Sequence, residues 1–190
     1  MLNFRPLILF FTLAFLATFH SHAQKSTSVG LNFTLESASG IFRPGFGAKI
    51  ERKLTRRSGI ETGLYYRNYI REFYIDLTGS ETPESFLVTV SERHLSIPVL
   101  YKFYSRLINI SMGPTFDFYL GWRERNESTG LLVNDYNIDP DFSIGLMGKI
   151  SKSISLTDKI FLEPEVRYSY NFTFDRTYAG FGIAAQYKFH

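Results

Sequence analysis

Several features are absent from this 190-residue sequence, and each absence excludes a class of protein. There is no cysteine, which excludes disulfide frameworks, cysteine-ligated zinc sites, thiol nucleophiles and lipid-modified N-terminal cysteines. The net charge is only +3, a balance that argues against a nucleic-acid-binding protein, whose lysines and arginines should gather in an unbalanced patch. No phosphate-binding glycine loop or metal-ligand spacing occurs either. We therefore predict no nucleic-acid partner, no cofactor and no metal site, and the alternative is calcium bound loosely by acidic residues of the long loops.

Long apolar runs are also scarce, and the one that occurs lies at the N-terminus. Residues 7–17 form an apolar run of eleven residues that follows Arg5, and small residues at Ser21 and Ala23 fit signal-peptidase cleavage before Gln24. This run is too short to span a bilayer as a helix. We predict that residues 1–23 are a cleaved signal peptide and that residues 24–190 form one domain. The alternative interpretation is a buried N-terminal helix of a cytosolic protein.

Apolar and polar residues alternate with a period of two throughout the rest of the chain. In residues 108–123 the even positions are apolar and the odd positions are small or polar, and residues 160–172 repeat this pattern. Such alternation indicates strands with two unlike faces, and each segment is long enough to cross a bilayer. The pattern predicts eight strands, over residues 27–36, 43–54, 59–74, 86–103, 107–123, 141–152, 159–172 and 177–189.

The connections between these strands differ in length in a regular way. Those after the second, fourth and sixth predicted strands are short, whereas residues 75–85 and 124–140 form longer polar connections. Outer-membrane barrels have short periplasmic turns and longer outward loops. We therefore predict an all-β fold, an eight-stranded antiparallel up-and-down transmembrane β-barrel. Loops 75–85 and 124–140 are the predicted sites for an unknown protein or ligand partner.

The alternation alone does not say which face of the barrel is inside. A lipocalin-like barrel would place the apolar face around a ligand, and a membrane barrel would place it against lipid. An eight-stranded barrel is only just wide enough for side chains to fill, and the apolar face carries too many aromatic rings for that space. We predict that outer-membrane lipid contacts this face, which includes fifteen aromatic residues: Phe33, Phe46, Tyr66, Tyr101, Phe103, Phe116, Phe118, Trp122, Phe142, Tyr168, Tyr170, Phe172, Phe181, Tyr187 and Phe189.

The inward face carries nine of the fourteen glycines and a nearly balanced set of charged residues. Isolated charges in a narrow interior would be costly, so balanced numbers indicate mutual pairing. We predict a structural network that fills the lumen, and the alternative is a narrow ion path. The network consists of Lys49, Glu51, Glu61, Arg67, Lys102, Asp117, Lys149, Glu163, Glu165, Arg167 and Lys188.

One group of residues has the composition of a hydrolase site. His94 and Ser96 share a strand face with Glu92, and a carboxylate, an imidazole and a hydroxyl can together activate a nucleophile. Membrane lipid A deacylases use a similar set on their lipid-facing wall. Here Leu95 and Ile97 face the lipid, which turns His94 and Ser96 inward. We therefore predict no catalytic residues and no enzymatic activity.

Four segments resemble a known family when they are taken in order. They are residues 94–103 (HLSIPVLYKF), 111–114 (SMGP), 162–170 (LEPEVRYSY) and 187–189 (YKF). Together they are similar to the outer-membrane β-barrel domain family of Bacteroidota, which includes the PorT-like proteins. The resemblance spans nearly all of residues 24–190.

The resemblance implies an outer-membrane location and assembly by the barrel-insertion machinery, which reads the C-terminal strand. His190 departs from the pattern because it follows the terminal Phe189. PorT-like proteins serve a secretion system, so a secretion-associated role is implied as well. The predicted function is a non-enzymatic outer-membrane barrel that acts as a structural or interaction module through its outward loops. The alternatives are a narrow porin-like channel, a membrane-embedded lipid hydrolase and a periplasmic lipocalin-like binder.

Overall fold

The computed structural model describes residues 26–38, 40–77, 84–124 and 141–189. The predicted signal peptide lies outside these residues. Within them, no helix is long and apolar enough to cross a bilayer. The strands are β1 (Thr27–Ser37), β2 (Arg43–Lys53), β3 (Ser58–Leu77), β4 (Glu84–Tyr104), β5 (Asn109–Glu124), β6 (Phe142–Ser151), β7 (Ile154–Ser155), β8 (Ile160–Asn171) and β9 (Arg176–Phe189).

The strands form a closed ring in which every neighbouring pair is antiparallel. Strands β1 to β6 pair in chain order, β6 pairs with β8, β8 pairs with β9, and β9 returns to β1. Strand β7 has two residues and pairs with β8 inside the β6–β8 connection. The ring therefore has eight long strands in up-and-down order, which confirms the predicted fold class. Closure gives every long strand a partner on each side, as a hydrocarbon environment requires.

The hairpin of β3 and β4 is longer than the sequence pattern predicts. Its ladder continues to the pairs Ile75–Phe86 and Leu77–Glu84, so the ends of the predicted loop 75–85 are strand. Aromatic and β-branched residues on both sides of this segment favour continued pairing. Glu124, which the prediction assigned to the loop 124–140, is the last residue of β5, and residues 125–140 lie outside the described part of the chain.

The two ends of the ring differ in their connections. At one end lie residues 54–57, 105–108 and 152–159, together with the beginning of β1 and the end of β9. We call this the turn end. At the opposite end, which we call the loop end, β1, β3, β5 and β8 finish. The short connections of outer-membrane barrels face the periplasm.

The two faces of the wall are chemically opposite. Outward-pointing side chains are large, apolar and exposed, as Leu31 at 73% and Phe46 at 63% show. Inward-pointing side chains are buried and mostly polar or charged, as Lys49 at 1% and Lys102 at 0% show. This arrangement is the reverse of a lipocalin-like barrel, in which the apolar face would surround a ligand. All but one of the predicted outward aromatics lie on the outer side.

The exception is Trp122, and a β-bulge is the cause. The register between β4 and β5 shifts between Arg93 and His94, and Gly121 has a φ of 127°. A glycine adopts this backbone conformation without strain, and a bulge inserts one extra residue, which reverses the facing of the residues after it. Trp122 consequently pairs with the buried Glu92 on the inward side, so the prediction that Trp122 faces lipid is wrong.

Candidate functional site

The half of the lumen nearest the turn end contains seven buried charged side chains, which we call the lysine–glutamate cluster. They come from β2, β3, β4, β6 and β8, so the cluster ties together strands that are far apart in the ring. Alternation points each of them inward, and the apolar wall excludes bulk water from around them. The cluster consists of Lys49, Lys102, Lys149, Glu51, Glu61, Glu163 and Glu165.

Lys102 lies at the centre of three carboxylates. Its Nζ is 2.7 Å from Oε2 of Glu51 and 3.5 Å from Oε2 of Glu61, and it also forms an ion pair with Glu163. Oxygens of these three glutamates lie within 4.8 Å of one another, a spacing that would suit a metal cation. The ammonium group of Lys102 contacts all three carboxylates and supplies the positive charge that a metal cation at this position would supply.

The other two lysines each bridge two carboxylates. Lys49 Nζ lies 2.8 Å from Oε2 of Glu163 and 3.8 Å from Oε2 of Glu61. Lys149 Nζ lies 2.9 Å from Oε2 of Glu165 and also pairs with Glu61. Because the contacts are shared, no single pair defines the cluster, and its members hold one another in place.

Neutral donors complete the coordination of the carboxylates. The hydroxyl of Tyr104 donates to Oε1 of Glu51 at 2.7 Å. The hydroxyl of Ser151 and the side-chain amide of Gln186 both donate to Glu163. Four glutamates face three lysines in this cluster, and such donors stabilise the extra negative charge without a further cation.

A second set of ion pairs, the arginine cluster, lies nearer the middle of the barrel. Arg67 Nε lies 3.1 Å from Oε2 of Glu36, and Arg167 Nη1 donates to Oε1 of the same carboxylate at 3.0 Å. Arg67 Nη1 also lies 3.7 Å from Oδ1 of Asp117, and Arg167 pairs with Glu165 of the lysine–glutamate cluster. The predicted network omitted Glu36, although its even position in β1 places it on the inward face.

Glycine makes room for a large inward ring beside these arginines. Tyr65 is buried, and the guanidinium of Arg167 lies 5.0 Å from its ring centroid. A Cβ atom at Gly47 would approach the Tyr65 ring to 2.7 Å, and one at Gly63 would approach it to 2.9 Å. Real Cβ contacts are not this short, so only glycine at these two positions permits the ring to lie against the wall.

A third group of polar and charged side chains lies towards the loop end. It includes Arg176, which the predicted network did not include. Arg176 donates to both carboxylate oxygens of Glu92, at 2.6 Å and 3.3 Å, and Nε2 of His94 lies 3.2 Å from the same group. The rings of Tyr69 and Tyr178 stack beside it with centroids 4.4 Å apart. Arg176 precedes the predicted strand 177–189 by one residue. Because the alternation assigns inward and outward positions only within predicted strands, Arg176 was not assigned to the inward face.

The arrangement expected of a hydrolase is not formed at His94 and Ser96. A Ser–His pair needs a hydrogen bond between hydroxyl and imidazole. The imidazole instead contacts Glu92, and the Ser96 hydroxyl has no hydrogen-bond partner in the described part of the chain. Ser96 is also 0% exposed inside the lumen, away from the lipid that a membrane hydrolase would act on.

Ten of the eleven predicted network residues are buried and form ion pairs, and Lys188 is different. It is half-buried near the end of β9, and within the described ranges it forms no ion pair. Its position close to the turn end leaves its ammonium group near the aqueous boundary. Lys188 therefore lies at the edge of the predicted network, outside its ion pairs.

A groove of about 720 Å³ runs along the outside of the wall rather than through the lumen. Its outward-facing lining includes Leu31, Ala48, Leu64 and Ala185. Ala48 and Ala185 are the two cross-strand neighbours of Leu31, so small side chains lie on both sides of a large exposed one. The groove therefore belongs to the apolar exterior.

Comparison with known proteins identifies the fold but no family. No protein family model and no curated relative match the sequence. The outer membrane protein OprG from Pseudomonas aeruginosa is 12% identical, with a TM-score of 0.56 over 88% of this chain and 97% of that one. A major outer membrane protein from Thermus thermophilus is 11% identical, with a TM-score of 0.55 over 88% and 100%. At such low identity, the similarity shows a shared outer-membrane barrel fold.

Proposed function

We propose that the chain is an integral outer-membrane β-barrel without enzymatic activity, closed inside by ion pairs, that acts through its outward loops. The single observation that carries the proposal is the combination of an exposed apolar wall with a buried charged interior. A narrow channel would need a continuous water path, whereas Lys102, Glu61 and Glu163 are fully buried within the lumen. Every one of these groups is engaged by opposite charges from other strands.

The exterior supports a membrane location. Large apolar side chains are exposed on every long strand, and a soluble monomer rarely exposes apolar patches of more than a few hundred Å². A membrane removes this cost because hydrocarbon contacts the apolar side chains. Export through a signal peptide at residues 1–23 and insertion by the barrel-insertion machinery are parts of the same proposal.

The loop end supports an interaction role. Strands β3 and β4 continue their pairing to Leu77 and Glu84, so a two-stranded ribbon carries the connection 78–83. Binding residues of many proteins lie on loops that a rigid scaffold positions. We propose that segments 75–85 and 124–140 contact a protein or ligand partner. The resemblance to PorT-like proteins suggests a secretion system as the setting, which the neighbouring genes would test.

Fractionation of the cell envelope tests the location. We expect the full chain in the outer-membrane fraction, extractable only with detergent, and a gel mobility that differs between unheated and boiled samples. Recovery of the chain in the periplasm without detergent would contradict the proposal and favour a soluble binder.

Recordings from planar bilayers test the closed lumen. We expect no steady conductance from the inserted wild-type barrel, because the charged groups inside are paired with one another. Regular, reproducible channel openings would instead favour the narrow pore.

Replacement of residues 125–140 by a short Gly–Ser linker tests the interaction role. The replacement should leave insertion of the barrel unchanged and remove crosslinking of the chain to its partner, which separates the scaffold from the interaction role.

A further inference from the structure

The turn end of the barrel is strongly basic. Residues 52–58, 104–108, 152–159 and 188–189 contain eight lysines or arginines and a single acidic residue, Asp158. All of these residues are described, and the basic ones come from all three turns and from the end of β9. The positive charge is therefore distributed around the rim rather than concentrated on one hairpin.

The connecting segments of the opposite end have the reverse composition. The connecting segments 38–42, 78–83, 125–141 and 172–175 contain six acidic residues and one basic residue. The whole chain has a net charge of only +3, so this separation is not a result of general basicity. Among the connecting segments of the sequence, the positive charge is therefore concentrated at the turn end.

The basic turns also expose large apolar side chains. Arg106 is followed by Leu107, which is 75% exposed, and Leu156, which is 57% exposed, lies between Lys152 and Lys159. Long basic side chains can keep their charge in the headgroup region while neighbouring apolar groups contact acyl chains. This mixture fits the boundary of a bilayer better than a fully aqueous surface.

The exterior groove begins next to two of the basic residues. The backbone N–H of Lys188 donates to the carbonyl of Lys159 at 2.8 Å, which brings these two residues together at the rim. Their chain neighbours Tyr187 and Ile160 both line the apolar groove. A phosphate at the rim and an acyl chain in the groove would belong to one lipid molecule.

We propose that the turn end binds anionic phospholipid, with lipid phosphates at its lysines and arginines and acyl chains along the adjoining wall. Lipid is favoured over an acidic protein because the exposed leucines and the groove continue into the membrane-facing surface. The inference rests on the proposed function, since it requires the barrel to span a bilayer. Basic residues near a membrane surface each strengthen its attraction for anionic lipid.

Spin-labelled lipids test this proposal. The full chain would be reconstituted in phosphatidylcholine vesicles with a trace of spin-labelled phosphatidylglycerol or phosphatidylcholine, and the motionally restricted fraction measured for each. We expect preferential retention of phosphatidylglycerol, by roughly fivefold per contacting basic residue, and a decrease of this preference at about 1 M salt. The variant R106Q/K152Q/K159Q, which keeps five of the eight basic residues, should show a clearly smaller preference than the wild type.

The matched control removes three exposed arginines from the loop end, as R71Q/R93Q/R123Q, and should keep the preference. Heat-modifiable mobility reports whether each variant has folded and inserted. A wild-type chain that does not insert would contradict the proposed function itself. Equal retention of the two lipids by an inserted barrel, or equal losses in the two variants, would overturn the lipid site. Binding of polyglutamate without lipid preference would overturn it in favour of an acidic protein.

Discussion

Substitution of Lys102 by Met is the most informative test of the closed lumen. The change keeps an unbranched side chain of similar length and removes the charge that Glu51, Glu61 and Glu163 share. Removal of one partner from a buried ion pair costs about 3–5 kcal/mol, because the other charge stays buried without compensation. Glu61 and Glu163 keep contacts with other lysines, whereas Glu51 loses its lysine. We therefore expect the free energy of unfolding to fall by about 3–5 kcal/mol, the cost of one broken pair rather than of three.

The free energy of unfolding would be measured by urea titration of the folded barrel in lipid vesicles. The fluorescence of Trp122, the only tryptophan, reports unfolding, and linear extrapolation gives the free energy in the absence of urea. Lys188→Met is the matched control, since Lys188 is half-buried and forms no ion pair in the described part of the chain. It should change the stability by no more than about 0.5 kcal/mol.

A second variant distinguishes loss of charge pairing from loss of packing. Lys102→Met combined with Glu51→Gln removes the carboxylate that the single variant leaves without a lysine. It should therefore recover part of the stability, with a coupling energy of about 0.5–3 kcal/mol. A loss below about 1 kcal/mol for Lys102→Met, or the absence of any recovery in the double variant, would refute the reasoning.

Three further predictions address the wall, the glycines and catalysis. Gly47→Ala should destabilise the barrel by about 1–3 kcal/mol through overpacking, whereas Gly148→Ala should be nearly neutral because no atom lies within 4 Å of the added Cβ; urea titration compares the two. Leu31→Arg, midway along the wall, should cost about 2–4 kcal/mol and Leu107→Arg, at the rim, about 0–1 kcal/mol, and equal costs would argue against a lipid-facing wall. Ser96→Ala should leave lipid A acylation unchanged, and altered acylation in mass spectra would revive the hydrolase.

The fold could be predicted because its signals are local. Alternation with a period of two marks each strand, and the difference between the short connection 104–106 and the long connection 124–140 marks the two ends. The facing of the wall followed from volume, since rings such as Phe46 and Tyr168 do not fit inside eight strands. Neither inference requires knowledge of which strands are neighbours.

The details of the site depend on register around the ring, which alternation does not provide. The alternation predicts that Lys49 and Glu163 both point into the barrel. Only the register of the strands shows that these two residues, 114 positions apart in the sequence, lie at the same height. The bulge beside Gly121 reversed the facing of Trp122, and the glycine itself was the only local sign of it. Arg176 was missed because a strand boundary was placed one residue late.

Spin labels on the wall provide the most direct test of the central claim, that hydrocarbon contacts the aromatic exterior while ion pairs close the interior. The chain has no cysteine, so single cysteines can be introduced without removing any. Labels at Met112 and Tyr168, both exposed on the wall, would be compared in vesicles with one at Thr55 in an exposed turn. We predict that oxygen relaxes the two wall labels strongly and that a water-soluble nickel chelate does not. Relaxation of the wall labels by the chelate to the same extent as the Thr55 label would contradict the claim.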